Sequence, residues 1–373
     1  MDRREIDQLL AAIGRARQSG ERAALATIVR IRGSAYRREG TRMLIRSDGT
    51  YECSLSGGCL EPSVAEAAVR VIDSGEPVVV NYDLADDSLW GLGMGCSGAI
   101  DVRIERLDEV ERDETMRAWL AALERGDAAA LVTPLSGVSG RLLVRADGEP
   151  LGELSDRVVM HEAVGRALAR LRAALPQSGT ELLASRELYF EISGPAPTLV
   201  VFGAGPDAAP LAQHAWALGF AVTMVDVRSA YLTNERFPTA TLVPAHFSQF
   251  ETMAPIRPGS FVLVMNHHLE RDEESLRHAL DSGAAYIGVL GPRPRYEKLL
   301  SGLAARGYVP SSAKLSRVHS PVGLAIGAET PSEVAVSILA ELLALRHGFE
   351  GGFLSGRPGA LHAPDDRRFL TSS

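Results

Sequence analysis

The stretch Thr198-Leu-Val-Val-Phe202-Gly203-Ala-Gly205-Pro-Asp-Ala208 decides the fold of the C-terminal half. Thr198–Phe202 is an unbroken apolar run of the kind buried on both faces of a parallel sheet. Gly203, Gly205 and Ala208 then give the G-x-G-x-x-A spacing. The first glycine permits a tight turn, the second lets a pyrophosphate approach the backbone, and the small third residue lets helix pack on strand. Pro206 sits where a helix begins and a missing N–H costs least. The next apolar run ends in Val225-Asp226, twenty-three residues beyond Gly203, where a carboxylate meets a ribose 2′-hydroxyl. Arg228 could instead favour a 2′-phosphate. Such a helix N-terminus serves ligands other than nicotinamide dinucleotides equally well.

Strands and helices alternate outward from this element. Strands are expected at 198–202, 221–225, 241–243, 261–265 and 285–289, and helices at 207–218, 272–281, 293–305 and 332–346. This alternation predicts an α/β fold, a Rossmann-like doubly wound parallel sheet over residues 197–354. Asn266-His267 and Gly291-Pro292-Arg293 end later strands and should face the same crevice. His267 can be read as a general base, a metal ligand, or a side chain capping the following helix. Residues 355–373 mix glycine, proline and charge and read as a flexible tail.

The N-terminal half reads differently. Ile6, Leu9, Leu10, Ile13 and Ala16 have helical spacing. Strands follow at Ala24–Val29 and Arg42–Arg46, and Asp48-Gly49 turns the chain into a strand over Thr50–Leu55. A helix is expected over 60–73, then strands at Val78–Tyr82 and Ala99–Glu105. Thr41–Gly49 is echoed by Gly140–Gly148, again followed by a helix at about 158–174. This predicts an α+β domain over residues 1–180 with a degenerate internal duplication. Residues 181–196, despite the strand-like Leu188–Ile192, read as a linker.

Two glycine-rich loops hold cysteines. Ser56-Gly57-Gly58-Cys59-Leu60-Glu61 places a thiol at a helix start, where the dipole and free N–H groups favour the thiolate. Gly57 and Gly58 let a ligand reach the backbone. Cys96 lies in Gly93-Met-Gly-Cys-Ser-Gly98. Together these suggest a sulfur-handling or soft-metal site. Cys53 lies in a strand and reads as packing. No CxxC pair or zinc spacing of histidines is present. The loop Gly33–Arg42 carries Arg37, Arg38 and Arg42, whose guanidinium forks suit phosphate or other oxyanions.

Bulk properties narrow the partners. The chain has 373 residues, too many for one core, and a net charge of −8 without a long basic block. Nucleic acid and anionic membranes are therefore not expected partners. The odd cysteine count, the charged N-terminus and the lack of an apolar run of spanning length point to a reducing cytoplasm.

Taken together, these stretches resemble the XdhC/CoxI family, accessory proteins of xanthine dehydrogenase and carbon monoxide dehydrogenase. The segments are GSAYRREGTRMLI (33–45), SLSGGCLE (54–61), GLGMGCSGAIDVRIE (91–105), LVVFGAGPDAAPLA (199–212), VTMVDVRSAY (222–231), MNHHLERDEESL (265–276), YIGVLG (286–291) and residues 320–346. The resemblance implies a chaperone that binds the molybdenum cofactor (molybdopterin), assists its sulfuration, and hands it to a molybdenum hydroxylase. A cysteine desulfurase is the implied second partner, and a homodimer is a further expectation. Carried over, Cys59 and Cys96 fall in motifs linked to cofactor or sulfur handling, and the implied chaperone would contact the molybdenum or its sulfur through Cys59. Gly203, Gly205, Asp226, His267 and Asp272 fall in motifs of the Rossmann domain. Pro206 stands where the family usually has histidine, Asn266 where it has threonine, and Gly291-Pro292-Arg293-Pro294 replaces Gly-Ser-Arg-Arg. These departures keep open an alternative, an NAD(P)-dependent oxidoreductase on the same scaffold, and leave open whether the protein is a catalyst at all.

Overall fold

The computed structural model describes residues 1–33, 35–83, 98–173 and 176–356. The chain divides into two compact units at Pro195/Ala196. The expectations for Cys96 and for a tail from residue 357 onward lie outside the described residues.

The first unit is a repeat. Helix α1 (Arg3–Ser19), strands β1 (Ala23–Gly33), β2 (Arg42–Arg46) and β3 (Tyr51–Glu52), helix α2 (Glu61–Ser74), and strands β4 (Val78–Asp83) and β5 (Gly98–Arg106) form the first copy. After the short α3 (Leu107–Arg112), the same order returns. It comprises α4 (Glu114–Arg125), β6 (Ala129–Pro134), β7 (Gly140–Arg145), β8 (Pro150–Leu154), α5 (Arg157–Leu171), β9 (Gly179–Leu183) and β10 (Arg186–Ser193). The strand orders, β3-β2-β1-β5-β4 and β8-β7-β6-β10-β9, are the same once the copies are superposed element by element. Even the turns agree: Gly49 and Gly148 both adopt positive φ, and each N–H donates to the third residue back, Arg46 or Arg145, at 2.9 Å.

Two sequence expectations are corrected here. Residues 181–196 are not a linker, because β10 pairs with β6 from Leu188↔Pro134 to Ser193↔Ala129 and with β9 on its other side. The short, turn-rich composition hides a β9–β10 hairpin whose further partner, β6, lies about sixty residues back. The strand expected over Thr50–Leu55 stops at Glu52, because Cys53 takes a left-handed φ of 64° and turns the chain into the cysteine loop.

Each sheet uses its two faces differently. Ala24, Ala26 and Ile28 of β1 pack with α2, and Ala130 and Val132 of β6 pack with α5. The opposite faces meet in one shared core, where Leu25 and Leu44 from one sheet and Leu131 and Leu143 from the other join Leu9 and Ile13 of α1 and Trp119 of α4. Two charges from each sheet enter this interface. Arg42 of β2 donates both terminal nitrogens to Glu191 of β10, and Arg141 of β7 donates to Glu105 of β5. The pairs are equivalent in the repeat: Glu105 lies opposite Leu25 on β1, and Glu191 lies opposite Leu131 on β6. Thr180 of β9 adds a 2.7 Å bond to the Val29 carbonyl, and Arg30 pairs with Glu187 at 2.7 Å.

The second unit is a six-stranded sheet of β11 (Thr198–Phe202), β12 (Ala221–Asp226), β13 (Thr241–Pro244), β14 (Phe261–Val264), β15 (Tyr286–Val289) and β16 (Val318–His319), parallel throughout. Its order, β13-β12-β11-β14-β15-β16, is the doubly wound order with the switch point between β11 and β14. Helices α6 (Ala208–Ala217), α7 (Phe250–Met253), α8 (Leu269–Asp281), α9 (Arg293–Ala305), α10 (Ser312–Leu315) and α11 (Pro331–His347) complete it. Along β11, Leu199 and Val201 face the core of α6 and α11, whereas Val200 and Phe202 face the core of α8 and α9. Strand β16 has only two residues, too short for its pattern to register in the sequence.

Arg42 and Glu191 are almost wholly buried. Removing one partner strands the other charge, which costs about 3–5 kcal/mol, whereas replacing both with apolar groups is close to neutral. Arg42→Met is therefore expected to lower the denaturation midpoint of this unit sharply. The double variant Arg42→Met/Glu191→Leu should recover most of the loss. Urea unfolding of the three proteins checks this, and an undiminished midpoint in Arg42→Met would rule the pair out as a structural determinant.

Candidate functional site

Two places concentrate functional groups, one in each unit. The first begins where β3 ends. After Cys53 the chain runs through Leu55–Leu60 into α2, with Gly58 at φ 109°, a conformation that glycine tolerates best. Glu61, 1% exposed, opens α2 and folds back on the loop. Its Oε1 accepts from the N–H groups of Leu55 (3.0 Å) and Ser56 (2.8 Å), and its Oε2 accepts from the Ser56 hydroxyl at 2.6 Å. Burial alone would raise the Glu61 carboxyl, but the Ser56 and Leu55 donors hold it below its ordinary range. Ser56 Oγ in turn accepts from the N–H groups of Gly58, Cys59 and Leu60, each at 3.2 Å, and from Cys59 Sγ at 3.3 Å.

The loop is thus held by a carboxylate-to-hydroxyl chain that ends at the half-buried thiol. Space beside Gly57 and Gly58 is open, since a Cβ at either would meet nothing within 4 Å. Beneath Cys59 lies a mostly apolar cavity of about 40 Å³ lined by Ile28, Tyr36, Arg37, Leu55 and Ile100 among others. It has room for a group near the size of one water, so any larger ligand must lie across the Gly57–Gly58 rim. Cys53 packs against the shared core, and burial pushes its thiol up, in keeping with a packing role.

The arginine loop is reassigned in part. Arg42, expected to bind an oxyanion, is spent on Glu191 inside the core and cannot reach a ligand. Arg37 lines the Cys59 cavity, but its guanidinium donates to Glu5 of α1.

The second place is the crevice at the C-terminal ends of β11, β12 and β14. Gly203, at φ 114°, packs so closely that a Cβ would lie 2.4 Å from the Met265 carbonyl oxygen. The carboxylate of Asp226, 2% exposed, is fully engaged. Its Oδ2 accepts from Ala204 N–H (2.8 Å) and Arg228 Nη2 (2.7 Å), and its Oδ1 accepts from Arg228 N–H (2.8 Å) and Nε (3.0 Å). The expected ribose contact is therefore already occupied by the chain's own Arg228, which also stacks 4.1 Å from the centre of Tyr231. Asp272 is likewise structural: it is 1% exposed and accepts from Asn266 N–H (2.9 Å), Asn266 Nδ2 (3.0 Å) and Arg295.

His267, in the left-handed region at φ 59°, reaches across the strand ends to Asp207, with Nε2 2.8 Å from Oδ2. Asp207 precedes α6, and its Oδ1 is buried without a partner. Arg236 donates to the carbonyls of Ala204 (3.0 Å) and Gly205 (2.9 Å). Beside this compensated cluster opens a cavity of about 260 Å³, lined by Asp226, Ala245, His246, Phe247, Phe250 and Asn266 among others. Sequence reasoning missed Ser56, Glu61, Asp207 and Arg236 as partners. Only Glu61, two positions after the cysteine, carried a hint, as a carboxylate at a helix start. Among the described residues, no cluster of metal-ligand side chains and no helix able to cross a membrane is present.

Residues 199–342 match the XdhC Rossmann domain, and residues 16–83 match the XdhC and CoxI family. The chain is similar to a probable xanthine dehydrogenase subunit of Bacillus subtilis, with 34% identity over 87% of this chain and 94% of that protein. It is similar to the molybdenum cofactor insertion chaperone PaoD of Escherichia coli, with 26% identity over 88% of this chain and 85% of that one. A crystal structure described as a xanthine dehydrogenase of Bacillus halodurans superposes with a TM-score of 0.72 at 31% identity, covering 91% of this chain and 95% of that one.

The Asp207 carboxylate, ahead of the opposing effect of burial, raises the pKa of His267. A base whose folded value is raised stabilises the fold fully below its ordinary value of about 6.5, and this contribution fades as pH rises through the folded value. The His267 ring signal in a proton–carbon NMR titration should therefore have a midpoint above about 6.5. Asp207→Asn should bring it down, and an unchanged midpoint would dissolve the pair.

Proposed function

Because this chain belongs to the XdhC/CoxI family, we propose that it is an accessory protein of a molybdenum hydroxylase of the xanthine dehydrogenase type, and that its cargo is the molybdenum cofactor. The observation that carries this reading is the braced thiol. Cys59 stands at the edge of an open glycine rim, and Ser56 and Glu61 fix its position. A soft sulfur suits molybdenum or the cofactor's own sulfurs. The rim admits a flat pterin to the backbone of Gly57 and Gly58, and Arg37 borders the same cavity. The cofactor lies on this surface and not within the small cavity.

In this reading the cargo is held while sulfur is delivered to it, with a cysteine desulfurase as the donor protein and the hydroxylase as the acceptor. Cys96 supplies a second thiol for the same handling. The protein acts as a chaperone that binds and releases, so tight positioning matters more than acid–base chemistry. The names of the relatives, a molybdenum cofactor insertion chaperone and a probable xanthine dehydrogenase subunit, support the assignment. The oxidoreductase alternative finds no support at Asp226, whose oxygens are engaged by Arg228 and Ala204.

The test is anaerobic incubation with molybdenum cofactor, desalting, and measurement of molybdenum per chain by mass spectrometry. Near-stoichiometric metal is expected for the wild type and for Cys53→Ala, with loss in Cys59→Ala. Failure of the wild type to retain molybdenum, or full retention by Cys59→Ala, would overturn the proposal.

A further inference from the structure

The second unit keeps a nucleotide-type crevice but fills its phosphate end with its own groups. Pro206 offers no N–H at the start of the helix turn. The N–H of Gly203 donates to the Val225 carbonyl at 2.8 Å, and that of Ala204 donates to Asp226. The buried, unpartnered Oδ1 of Asp207 lies 2.7 Å from where a Cβ of Gly205 would stand. A pyrophosphate brought to that glycine would meet a carboxylate, and two of the donors that usually greet it are already spent.

The neighbouring cavity is built for a different shape. Its lining mixes the apolar Val225, Ala245 and nearly buried Phe250 with the charged Glu270 and Arg271, and Phe247, 40% exposed, stands among them. The Phe247 ring leans on the His246 ring, with centroids 3.8 Å apart, so the aromatic edge is itself supported. At about 260 Å³ the space lies just below the range of drug-sized pockets, enough for a fused two-ring heterocycle and too little for a dinucleotide. One polar group is oriented without ambiguity. Asn266 directs its amide nitrogen to Asp272 (3.0 Å) and Ser275 (3.2 Å), which leaves its carbonyl oxygen as an acceptor, in a lining that also holds His246, His268 and Glu270.

We propose that this cavity binds an amino-substituted planar heterocycle, a purine or a pterin ring, without recognition of a diphosphate. Phe247 stacks on the ring, and the Asn266 carbonyl accepts from its exocyclic amino group. The inference is independent of the role given to Cys59, which lies in the other unit.

The experiment is isothermal titration calorimetry on the full-length protein with adenosine, guanosine, 6-hydroxymethylpterin, ADP and NAD⁺. At least one amino-heterocycle should bind, and ADP should bind no tighter than adenosine. Whether the purine or the pterin arm binds more tightly identifies the source of the ring. Phe247→Ala should weaken binding by about fivefold or more through lost stacking. Asn266→Leu should weaken it about three- to tenfold. The exposed Phe247 keeps the test decisive if the buried Asn266 change disturbs folding. The proposal falls if no heterocycle binds, if ADP or NAD⁺ binds about tenfold tighter than adenosine, or if Phe247→Ala leaves affinity unchanged.

Discussion

The first unit depends on two ion pairs that cross between its sheets. Arg42 and Glu105 come from one sheet, and Glu191 and Arg141 from the other, and each arginine finds its carboxylate across the shared core. Taking such charges out of water is expensive unless geometry brings them together. The sheets must therefore meet in one register. A one-residue slip of β2 would turn Arg42 toward α2 and leave Glu191 without a counter-charge. The leucines around them supply the attraction, and the ion pairs set the alignment. The loop that carries Cys59 hangs from this assembly, between β3 and α2 of the first sheet.

Around the thiol, the polar groups form a short hierarchy. Glu61, held ionised, fixes Ser56, and Ser56 fixes three backbone N–H groups and Sγ. Few of these groups remain free to respond when a ligand arrives, which is how a site is preorganised. The crevice of the second unit follows the same economy with opposite results. There Arg228 answers Asp226, Arg295 answers Asp272 and His267 answers Asp207, so the charges that a motif search would assign to a ligand are balanced internally. What stays open is an aromatic cavity beside them.

Much of this was legible in the residues. The parallel sheet followed from one apolar run and two glycines, because a buried strand and a tight turn leave few alternative sequences. The repeat followed from the echo of Thr41–Gly49 in Gly140–Gly148. It was not carried far enough, since the counterparts of β4 and β5 lay in the stretch read as a linker. The partners of Arg42, Asp226 and Asp272 were not legible. A side chain's fate there is decided by groups between 2 and 149 positions away, and composition gives no sign of which arginine reaches which carboxylate. For Asp226 the partner sits only two residues on, yet Arg228 was read as an alternative ligand contact, not as the carboxylate's neutraliser.

The crossed pairs have a further meaning. In a symmetric dimer, residue i of one protomer meets j of its partner while j meets i, and this is the relation of Arg42–Glu191 to Arg141–Glu105. The unit has the interface of a two-fold homodimer written into a single polypeptide. Its association carries no dependence on concentration, unlike that of separate protomers. Tethering also removes the need for both halves to stay alike. One half carries the glycine–cysteine loop, while the other, with Ser155-Asp156 leading into α5, has shed it and serves as the surface against which its twin is held.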